Sequence, residues 1–249
     1  MAERFDPQKT AERIILWIRD YFKRNGTDET KAVIGISGGK DSSVAAALCV
    51  KALGRERVLG VMMPQGEQAD IGCSYALAEY LGIKFLTVNI GKTAEVLFEA
   101  IGESGLGLNS CAEINTPPRI RMAVLYAAAA SVGGRVVNTC NLSEDYVGYS
   151  TKFGDSAGDF SPLSELTAGE VVAVGDALGL PYELTHKVPI DGLCGKTDEE
   201  NLGFTYAELD GYIRNGSRAL ADKPELIEKI EGMHRRNLHK LEPMPKFLL

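Results

Sequence analysis

The chain has few of the residues that build metal centres and disulfide frameworks. Its five cysteines are scattered, and no two of them form a Cys-x-x-Cys pair. This spacing argues against a zinc ribbon, an iron–sulfur site and a disulfide scaffold. The three histidines are also too few and too widely separated to suggest a zinc enzyme.

An excess of basic residues and a long apolar run are missing as well. The net charge of −7 argues against a surface built mainly to hold nucleic acid. The longest strongly apolar run, residues 123–132, is too short to span a bilayer, which needs about 20 residues. Charged residues such as Glu3 and Arg4 make the N-terminus unlike a signal peptide. We therefore expect a cytoplasmic protein with neither a nucleic-acid nor a membrane partner.

Short β-rich runs alternate with helical runs along the first half of the chain. The predicted strands are residues 31–36, 58–63, 84–89 and 135–140, and the predicted helices are residues 41–53, 70–81, 92–101 and 118–132. A further amphipathic helix is predicted to open at Asp6-Pro7, and another to begin at Pro224. This alternation predicts an α/β fold: a doubly wound, mainly parallel sheet with helices on both faces, in a single domain over residues 1–249. Because the strands are apolar throughout, we expect them to be buried on both faces.

Ligands of such sheets bind beyond the carboxyl ends of the strands. Three segments follow strands and should converge there: the loop at Ser37, the turn at residues 63–66 and the segment 141–161. Segments 141–161 and 186–198 are long and lack regular periodicity, which predicts substrate loops.

The loop from Ser37 to Ser43, which reads Ser-Gly-Gly-Lys-Asp-Ser-Ser, is the most informative stretch. Its two glycines allow a sharp turn that exposes backbone N–H groups, and the following helix N-terminus adds partial positive charge. Both features suit an anion. A carboxylate in the first helical turn would repel phosphate, so Asp41 makes sense if a divalent cation lies between them.

This loop is not the common phosphate loop G-x-x-x-x-G-K-[ST], which would need glycine in place of Ile34 and serine or threonine in place of Asp41. It resembles instead the S-G-G-x-D-S loop of the ATP pyrophosphatase families, which cleave ATP to AMP and pyrophosphate. A plain Gly-Ser turn is the alternative.

Polar residues are dense directly after the last predicted strand. Glu144 could share a metal with Asp41, Lys152 could hold an anionic group, and Asp155 and Asp159 could accept hydrogen bonds from hydroxyls or an amine. Solvated Asp/Gly turns could explain any one of these acids but not the whole constellation.

Several motifs occur in the order seen in the ammonia-dependent NAD synthetases, and the chain resembles that family over nearly its whole length. These motifs are the Ser37–Ser43 loop, Arg119-Ile120-Arg121-Met122, Ser143-Glu144, the run from Gly148 to Asp155, the run from Asp198 to Gly203, and His239-Lys240. The resemblance implies a homodimer that joins ammonia to the nicotinate carboxylate of deamido-NAD, with ATP as co-substrate and Mg²⁺ as cofactor.

The resemblance also implies roles for individual residues. It assigns ATP contacts to Gly35, Ile36, Ser37, Gly38, Gly39, Lys40, Asp41, Ser42 and Thr139. It assigns magnesium to Asp41 and Glu144, and the ammonium-receiving, catalytic acid to Asp155. It assigns deamido-NAD contacts to Arg119, Lys152, Asp159, His239 and Lys240.

Two positions depart from the family pattern. The family usually has a phosphate-binding lysine at the position of Ala168 and a threonine or serine at the position of Ile190. Lys40, Lys187 or Lys196 could replace the missing cation, and the sequence does not choose among them.

Other interpretations stay open at this stage. His239-Lys240 could simply cap a helix C-terminus. The chain could be another ATP pyrophosphatase, such as a sulfur-transfer or tRNA-modifying enzyme, or a nucleotide-binding regulator without activity. Its length also leaves no room for a glutaminase domain beside the synthetase, so we expect free ammonia as the nitrogen source.

Overall fold

Four parallel strands form a single sheet in the order β3-β2-β1-β4. They are β1 (Ala32–Gly35), β2 (Val58–Met62), β3 (Lys84–Thr87) and β4 (Arg135–Val137). The structure is a computed structural model, and it describes residues 5–186 and 197–247. In the parallel register, Ile34 pairs with Gly60 on one side and with Val137 on the other. Strand β1 is therefore central, which places the Ser37 loop in the middle of the sheet edge.

Helices connect and cover the strands. They are α1 (Pro7–Asn25), α2 (Lys40–Leu53), α3 (Ile71–Leu81), α4 (Gly91–Glu103), α5 (Ser110–Val132), α6 (Leu142–Val147), α7 (Ala168–Ala177), α8 (Tyr182–Thr185), α9 (Asp198–Leu202), α10 (Tyr206–Asn215) and α11 (Pro224–Leu241). Among the described helices, none combines the length and the apolar character that crossing a membrane requires.

The two faces of the sheet carry separate hydrophobic cores. On one face, Ile34 packs with side chains of α1, α2 and α7. On the other face, Val33, Val61 and Val136 pack against α5. Full burial of a side chain of this size contributes roughly 1.5–3 kcal/mol. The predicted doubly wound α/β arrangement, with helices on both faces, is thus confirmed.

Strand β3 contradicts the expectation that every strand is buried on both faces. All four of its residues are exposed, including Phe85 and Leu86. The reason is its place at the edge of the sheet, where it pairs only with β2 among the described strands. Its apolar side chains, Phe85 and Leu86, are therefore not part of the buried core of the chain.

Two predicted boundaries shift. Helix α5 begins at Ser110 rather than 118, because the side chain of Asn109 caps it by accepting a hydrogen bond from the Ala112 N–H (3.0 Å). Pro117 and Pro118 lie inside the helix. Strand β4 ends at Val137 rather than 140, since the Asn138 N–H turns to the Phe160 carbonyl (2.9 Å).

The predicted helices at both ends of the chain are confirmed. Asp6 is the N-cap of α1 and accepts a hydrogen bond from the Lys9 N–H (3.1 Å), with Pro7 in the first turn. Helix α11 begins at Pro224 as expected. The segment 141–161, predicted to be irregular, contains the short helix α6, whose capping box consists of Asn141 and Glu144.

Candidate active site

The carboxyl ends of the strands bring the predicted loops together. The Ile36 N–H donates to the Val61 carbonyl (2.9 Å), so β1 and β2 stay paired up to the Ser37 loop. Arg121 of α5 donates from Nε to the Met63 carbonyl (3.0 Å), which fixes the turn after β2. Residues 138–161 follow β4 at the same edge.

The Ser37 loop turns tightly at Gly38. Gly38 has a φ of +82°, which side chains rarely adopt, and a Cβ there would lie 3.1 Å from Cys73 and Ser74. The hydroxyls of Ser37 and Ser42 lie 3.1 Å apart and close the loop. The backbone then enters α2 with Gly39 as N-cap, so N–H groups of the first turn face the mouth of the loop.

One asparagine links the two predicted metal ligands. Asn141 donates from Nδ2 to Asp41 Oδ1 (2.9 Å), and its backbone N–H donates to Glu144 Oε2 (3.3 Å). Asp41 lies in the first turn of α2 and Glu144 in the first turn of α6, after strands β1 and β4. Neighbouring strands thus bring together two carboxylates that are about a hundred residues apart in sequence.

These carboxylates share a strongly charged and poorly hydrated environment. Burial, together with the neighbouring Asp41, raises the pKa of Glu144 well above its ordinary range, although the side chain keeps some exposed surface. Lys40 is only 7% exposed and donates to Asp41 Oδ2 (2.8 Å). Burial opposes its charge, but Asp41 and Glu144 outweigh that effect and raise the pKa of Lys40.

The residues present fit a divalent cation that is shared with phosphates. In the part of the chain that the structure describes, no group of three or more His, Cys, Asp or Glu side chains is placed to hold a metal by itself. Mg²⁺ is commonly bound by one or two carboxylates together with substrate phosphates and water. Asp41 and Glu144 beside an anion-binding loop match that pattern.

A second cluster joins the segment after α6 to the C-terminal helix. Lys152 donates from Nζ to the His239 carbonyl. Lys240 donates from Nζ to the carbonyls of Gly148 (2.6 Å) and Ser150 (2.9 Å). Arg119 of α5 donates from Nε to the Lys152 carbonyl (3.3 Å). Four of the five predicted deamido-NAD contacts therefore lie in one cluster.

Asp155 lies beside this second cluster. Its Oδ1 accepts from the Thr151 N–H (2.9 Å). The side chain is exposed at the surface, yet the surrounding protein displaces bulk water, and this desolvation raises the pKa of Asp155. Ser150 Oγ is buried and has no hydrogen-bond partner among the described residues. A buried hydroxyl without a partner is unfavourable, so its place beside this cluster suits a polar ligand.

Asp159 and Thr139 lie apart from that cluster. Asp159 Oδ2 accepts from the Val136 N–H of β4 (2.7 Å), and the Tyr126 hydroxyl of α5 is 3.5 Å from Oδ1. Thr139 follows β4 and is partly buried. Neither position is tied to the Lys152–Lys240 cluster by a hydrogen bond among the described residues.

Of the two positions that depart from the family pattern, the structure describes Ala168 but not Ile190. Ala168 is the first residue of α7 and is buried. Ile190, Lys187 and Lys196 lie outside the described residues. Of the second predicted substrate loop, residues 186–198, only 186, 197 and 198 are described.

Sequence reasoning missed the residues that hold the site in place. Asn141 was not singled out, although Asn-x-x-Glu after a strand is a recognisable capping box. Arg121 was named only as part of the motif Arg119-Ile120-Arg121-Met122, without a role, and Tyr206 was not named. Arg121 anchors the turn after β2, and the Tyr206 ring lies 5.4 Å from Lys40 Nζ. No sequence signal could have placed Tyr206 there, because the contact joins α2 to α10.

The fold and this site together define an α/β protein with a glycine-containing strand–helix turn, two carboxylates and a buried lysine at the centre of its sheet edge. The NAD synthase family model matches residues 10–244, so the chain belongs to the NAD synthase family. It is therefore a ligase that forms carbon–nitrogen bonds, and placement in a sulfur-transfer or tRNA-modifying family is not favoured.

Individual relatives agree with this placement. An NH(3)-dependent NAD(+) synthetase of Archaeoglobus fulgidus is 37% identical over 242 residues, which cover 96% of both chains. The structure of NMN synthetase from Francisella tularensis superposes with a TM-score of 0.85 at 32% identity and covers 98% of this chain and 100% of that one. The NH3-dependent NAD synthetase of Campylobacter jejuni superposes with a TM-score of 0.80 at 27% identity and covers 98% of this chain and 100% of its own.

Proposed function

We propose that this chain amidates deamido-NAD with ammonia, at the expense of ATP, to give NAD, AMP and pyrophosphate through an adenylated intermediate. The observation that carries the proposal is the Asn141 link between Asp41 and Glu144 beside the Ser37 loop. Glu144 also completes the capping box of α6 and Asp41 pairs with Lys40, but a capping box needs no second carboxylate beside it. A cation shared with a bound triphosphate would offset the repulsion between these two acidic side chains.

The chemistry follows from the poor reactivity of a carboxylate. Attack of a nicotinate oxygen on the α-phosphate of ATP forms a mixed anhydride and releases pyrophosphate. Ammonia then attacks the acyl carbon, and AMP leaves. Loop N–H groups from Ser37 to Ser42 orient the phosphates. Mg²⁺ held by Asp41 and Glu144 would neutralise the charge that develops on the departing pyrophosphate.

Asp155 is proposed to receive the nitrogen donor, which is mostly ammonium at neutral pH. Its raised pKa, caused by desolvation, makes it a better proton acceptor than an ordinary aspartate. The Thr151 N–H holds one carboxylate oxygen, Oδ1, in place. An ammonium ion bound there can lose a proton to Asp155 before it attacks the acyl carbon.

Arg119, Lys152, His239 and Lys240 are proposed to contact the dinucleotide, and Asp159 to contact it from β4. Support comes from the closeness of the first four residues and from the unpartnered hydroxyl of Ser150 beside them. Lys152 binds one main-chain carbonyl and Lys240 binds two, and a substrate phosphate could replace a carbonyl at either lysine. We also propose that residues 1–249 act as one catalytic domain, a proposal that the family match over residues 10–244 supports.

The assembly and location are proposed as a homodimer in the cytoplasm. Exposed apolar side chains on β3 and α4, such as Leu86 (45%) and Leu97 (39%), support a dimer because a monomer would leave them in water.

A mononucleotide substrate is a second candidate. The observation that favours it is the likeness to the Francisella tularensis NMN synthetase, with a TM-score of 0.85 over nearly the whole of both chains. The nicotinate group and its ribose phosphate are common to both substrates, so the adenylation and amidation steps would be unchanged. The two candidates differ only in what binds the AMP half.

One assay tests these proposals. Purified protein is incubated with ATP, MgCl₂, ammonium chloride and either deamido-NAD or the corresponding mononucleotide, and AMP, pyrophosphate and the amide product are quantified by chromatography. We expect stoichiometric AMP and NAD from deamido-NAD, and little product when glutamine replaces ammonium at equal nitrogen. A higher kcat/KM with the mononucleotide would favour the second candidate. Absence of any amide product from either substrate would refute the ligase assignment and leave a nucleotide-binding regulator.

A further inference from the structure

A cavity of about 330 Å³ opens between the start of α2 and the start of α7. Lys40 lies on one side of it and Ala168 and Gly169 on the other, while Tyr206 and Asp198 also line it. Because Lys40 belongs to the Ser37 loop, the cavity adjoins the place where that loop would hold phosphates. Its volume is sufficient for the outer two phosphates of a nucleotide.

The side of the cavity formed by α7 offers no free backbone donor in its first turn. The Ala168 N–H donates to Ser143 Oγ (3.1 Å), and the Gly169 N–H donates to Asp210 Oδ2 (2.8 Å). The Glu170 N–H is taken by the Thr167 side chain of the capping box. A helix N-terminus attracts anions only through such N–H groups. An anion in this cavity must therefore be held by side chains: Lys40 is the lysine on the other side, and Thr185, His186 and Thr197 are further donors among the described lining residues.

Lys40 is the side chain on that other side. Among the described residues that line the cavity, no other is a lysine or an arginine. Lys40 is buried, with 7% of its surface exposed. Its Nζ lies 2.8 Å from Asp41 Oδ2 and 5.4 Å from the centre of the Tyr206 ring. The ring and Asp41 hold the ammonium at the cavity wall, where it can exchange the Asp41 oxygen for a phosphate oxygen.

We propose that the Lys40 ammonium binds the β- and γ-phosphates of ATP and the pyrophosphate that leaves, from the side of the cavity opposite Ala168. This inference rests on the proposed ATP-dependent function, and it concerns the Lys40 side chain rather than the backbone of the loop. Lys40 would then supply the positive charge that the family usually places at the position of Ala168. Lys187 and Lys196 are the competing residues.

The test measures binding rather than turnover. Isothermal titration calorimetry with inorganic pyrophosphate and with AMP, each in the presence of MgCl₂, compares the wild type with Lys40→Met and Lys40→Gln. Glutamine can still donate a hydrogen bond to Asp41, so this second variant keeps the fold if methionine is not tolerated. We expect the Kd for pyrophosphate to rise by roughly 10- to 100-fold, the usual effect of losing a hydrogen bond to a charged group. The Kd for AMP should change by less than about threefold, because AMP lacks the outer phosphates.

Two further variants sharpen the result. Lys51→Met removes an exposed lysine near the other end of α2 and should leave both constants at their wild-type values. Ala168→Lys in the Lys40→Gln background places a cation on the opposite wall of the same cavity. It should recover at least tenfold of the lost pyrophosphate affinity, and this recovery is not expected if Lys40 only supports the fold.

Each contrary outcome is distinct. Wild-type affinity for pyrophosphate in Lys40→Gln would overturn the proposal and pass the role to Lys187 or Lys196. An equal loss of AMP and pyrophosphate affinity, with a lowered melting temperature, would also overturn it, because Lys40 would then only shape the loop. If Lys40→Gln weakens pyrophosphate binding as expected but the wild type makes no amide product, the proposed reaction fails while the assignment of Lys40 stands.

Discussion

At the scale of single residues, the site concentrates charge where a folded protein would ordinarily avoid it. Glu144 and Asp41 are both acidic and both accept a hydrogen bond from Asn141. Among the described residues, Lys40 is the cation whose ion pair with Asp41 offsets their negative charge. The raised pKa of Glu144, caused by burial and by Asp41, means that its charged form is held against an unfavourable free energy. Charge concentrated in this way costs stability, which is common where titratable groups serve a function.

The pair Asp41 and Glu144 gives the first prediction. Asp41→Asn and Glu144→Gln keep size but remove charge, and each should lower kcat by about 100-fold or more, as when a main electrostatic stabiliser is lost. Glu144→Gln should also be more stable than the wild type at pH 8. The sign follows from linkage: an acid with a raised pKa in the folded state loses stability as pH rises above its unfolded pKa, and glutamine does not.

Steady-state kinetics and thermal melts at pH 8 measure both effects, and Mn²⁺ binding with ATP present, followed by electron paramagnetic resonance, reports the metal directly. Glu29→Gln, at an exposed position away from the site, is the matched control. Tight Mn²⁺ binding and near-normal turnover in both variants would remove Asp41 and Glu144 from the metal site.

Asp145 gives the second prediction. Burial, followed by the neighbouring Asp155, raises the pKa of Asp145 to about 6 from 3.8. A difference of that size corresponds to at most about 3 kcal/mol. The wild type therefore loses stability as pH rises from about 4 to 6, so Asp145→Asn should be more stable at pH 7.5 and gain much less at pH 4.5.

Urea denaturation at those two pH values checks this expectation. Asp28→Asn, at an exposed position in the turn before β1, should give the same free energy of unfolding as the wild type at both. A stabilisation by Asp145→Asn that is independent of pH would show that the effect comes from packing rather than from the charge of Asp145.

At the scale of elements, helix α11 completes the short helix α6. An α-helix leaves its last four carbonyls unsatisfied, and in a helix of six residues these are most of the carbonyls it has. His234 approaches the Tyr146 carbonyl (2.8 Å), Asn237 donates to the Val147 carbonyl (3.0 Å), and Lys240 donates to the Gly148 carbonyl (2.6 Å). Three residues spaced by three along α11 thus cap one end of α6.

This contact gives the third prediction, which separates the two halves of the His239-Lys240 pair. Lys240→Met should lower stability by about 1–2 kcal/mol, because the Gly148 and Ser150 carbonyls lose their donor. It should also raise the KM for deamido-NAD. His239→Ala should raise the KM alone. The melting temperature should stay unchanged, since the exposed His239 ring has a hydrogen bond only to a carbonyl of its own helix among the described residues.

Calorimetric melts and steady-state kinetics with deamido-NAD provide the two readouts. Lys246→Met, in the exposed tail after α11, is the control for a lost lysine. A stable Lys240→Met variant would mean that water replaces the ammonium at α6. An unchanged KM in both variants would remove the pair from the substrate site.

The same contacts explain how far the sequence could predict the fold and the site. Alternating β-rich and helical runs were sufficient for the sheet, and Ser37–Ser43 was sufficient for the loop, because both signals are local. The residues of α11 that cap α6 are about ninety residues away from it in sequence. The sequence could therefore predict only that cations are common in the last turn of a helix. Lys240 does cap a helix, but it caps α6 rather than its own. Helix α5 begins at Ser110 rather than 118, where the side chain of Asn109 caps its first turn.

At the scale of the whole molecule, the apolar surface is uneven. Strand β3 is exposed along its whole length, with Phe85 and Leu86 open to solvent. Helix α4, which follows it, buries Ala94 against α5 and leaves Val96 and Leu97 exposed. An apolar edge strand left in water is prone to association, which proteins usually prevent with charge or a covering element. Here a second copy of the chain would provide the cover.

The final prediction concerns this surface. Leu97→Glu places a charge on α4 where the proposed dimer would bury it, and an unpaired buried charge is costly enough to dissociate the dimer. Sedimentation equilibrium should give about twice the chain mass for the wild type and the single mass for the variant.

Leu16→Glu is the matched control: Leu16 is 60% exposed on α1, which packs on the opposite face of the sheet, and this variant should stay dimeric. NAD formation by Leu97→Glu should rise with protein concentration if the dimer is the active form. A wild type that sediments as a monomer at micromolar concentration would contradict the dimer, and the exposed β3 edge would then need another partner.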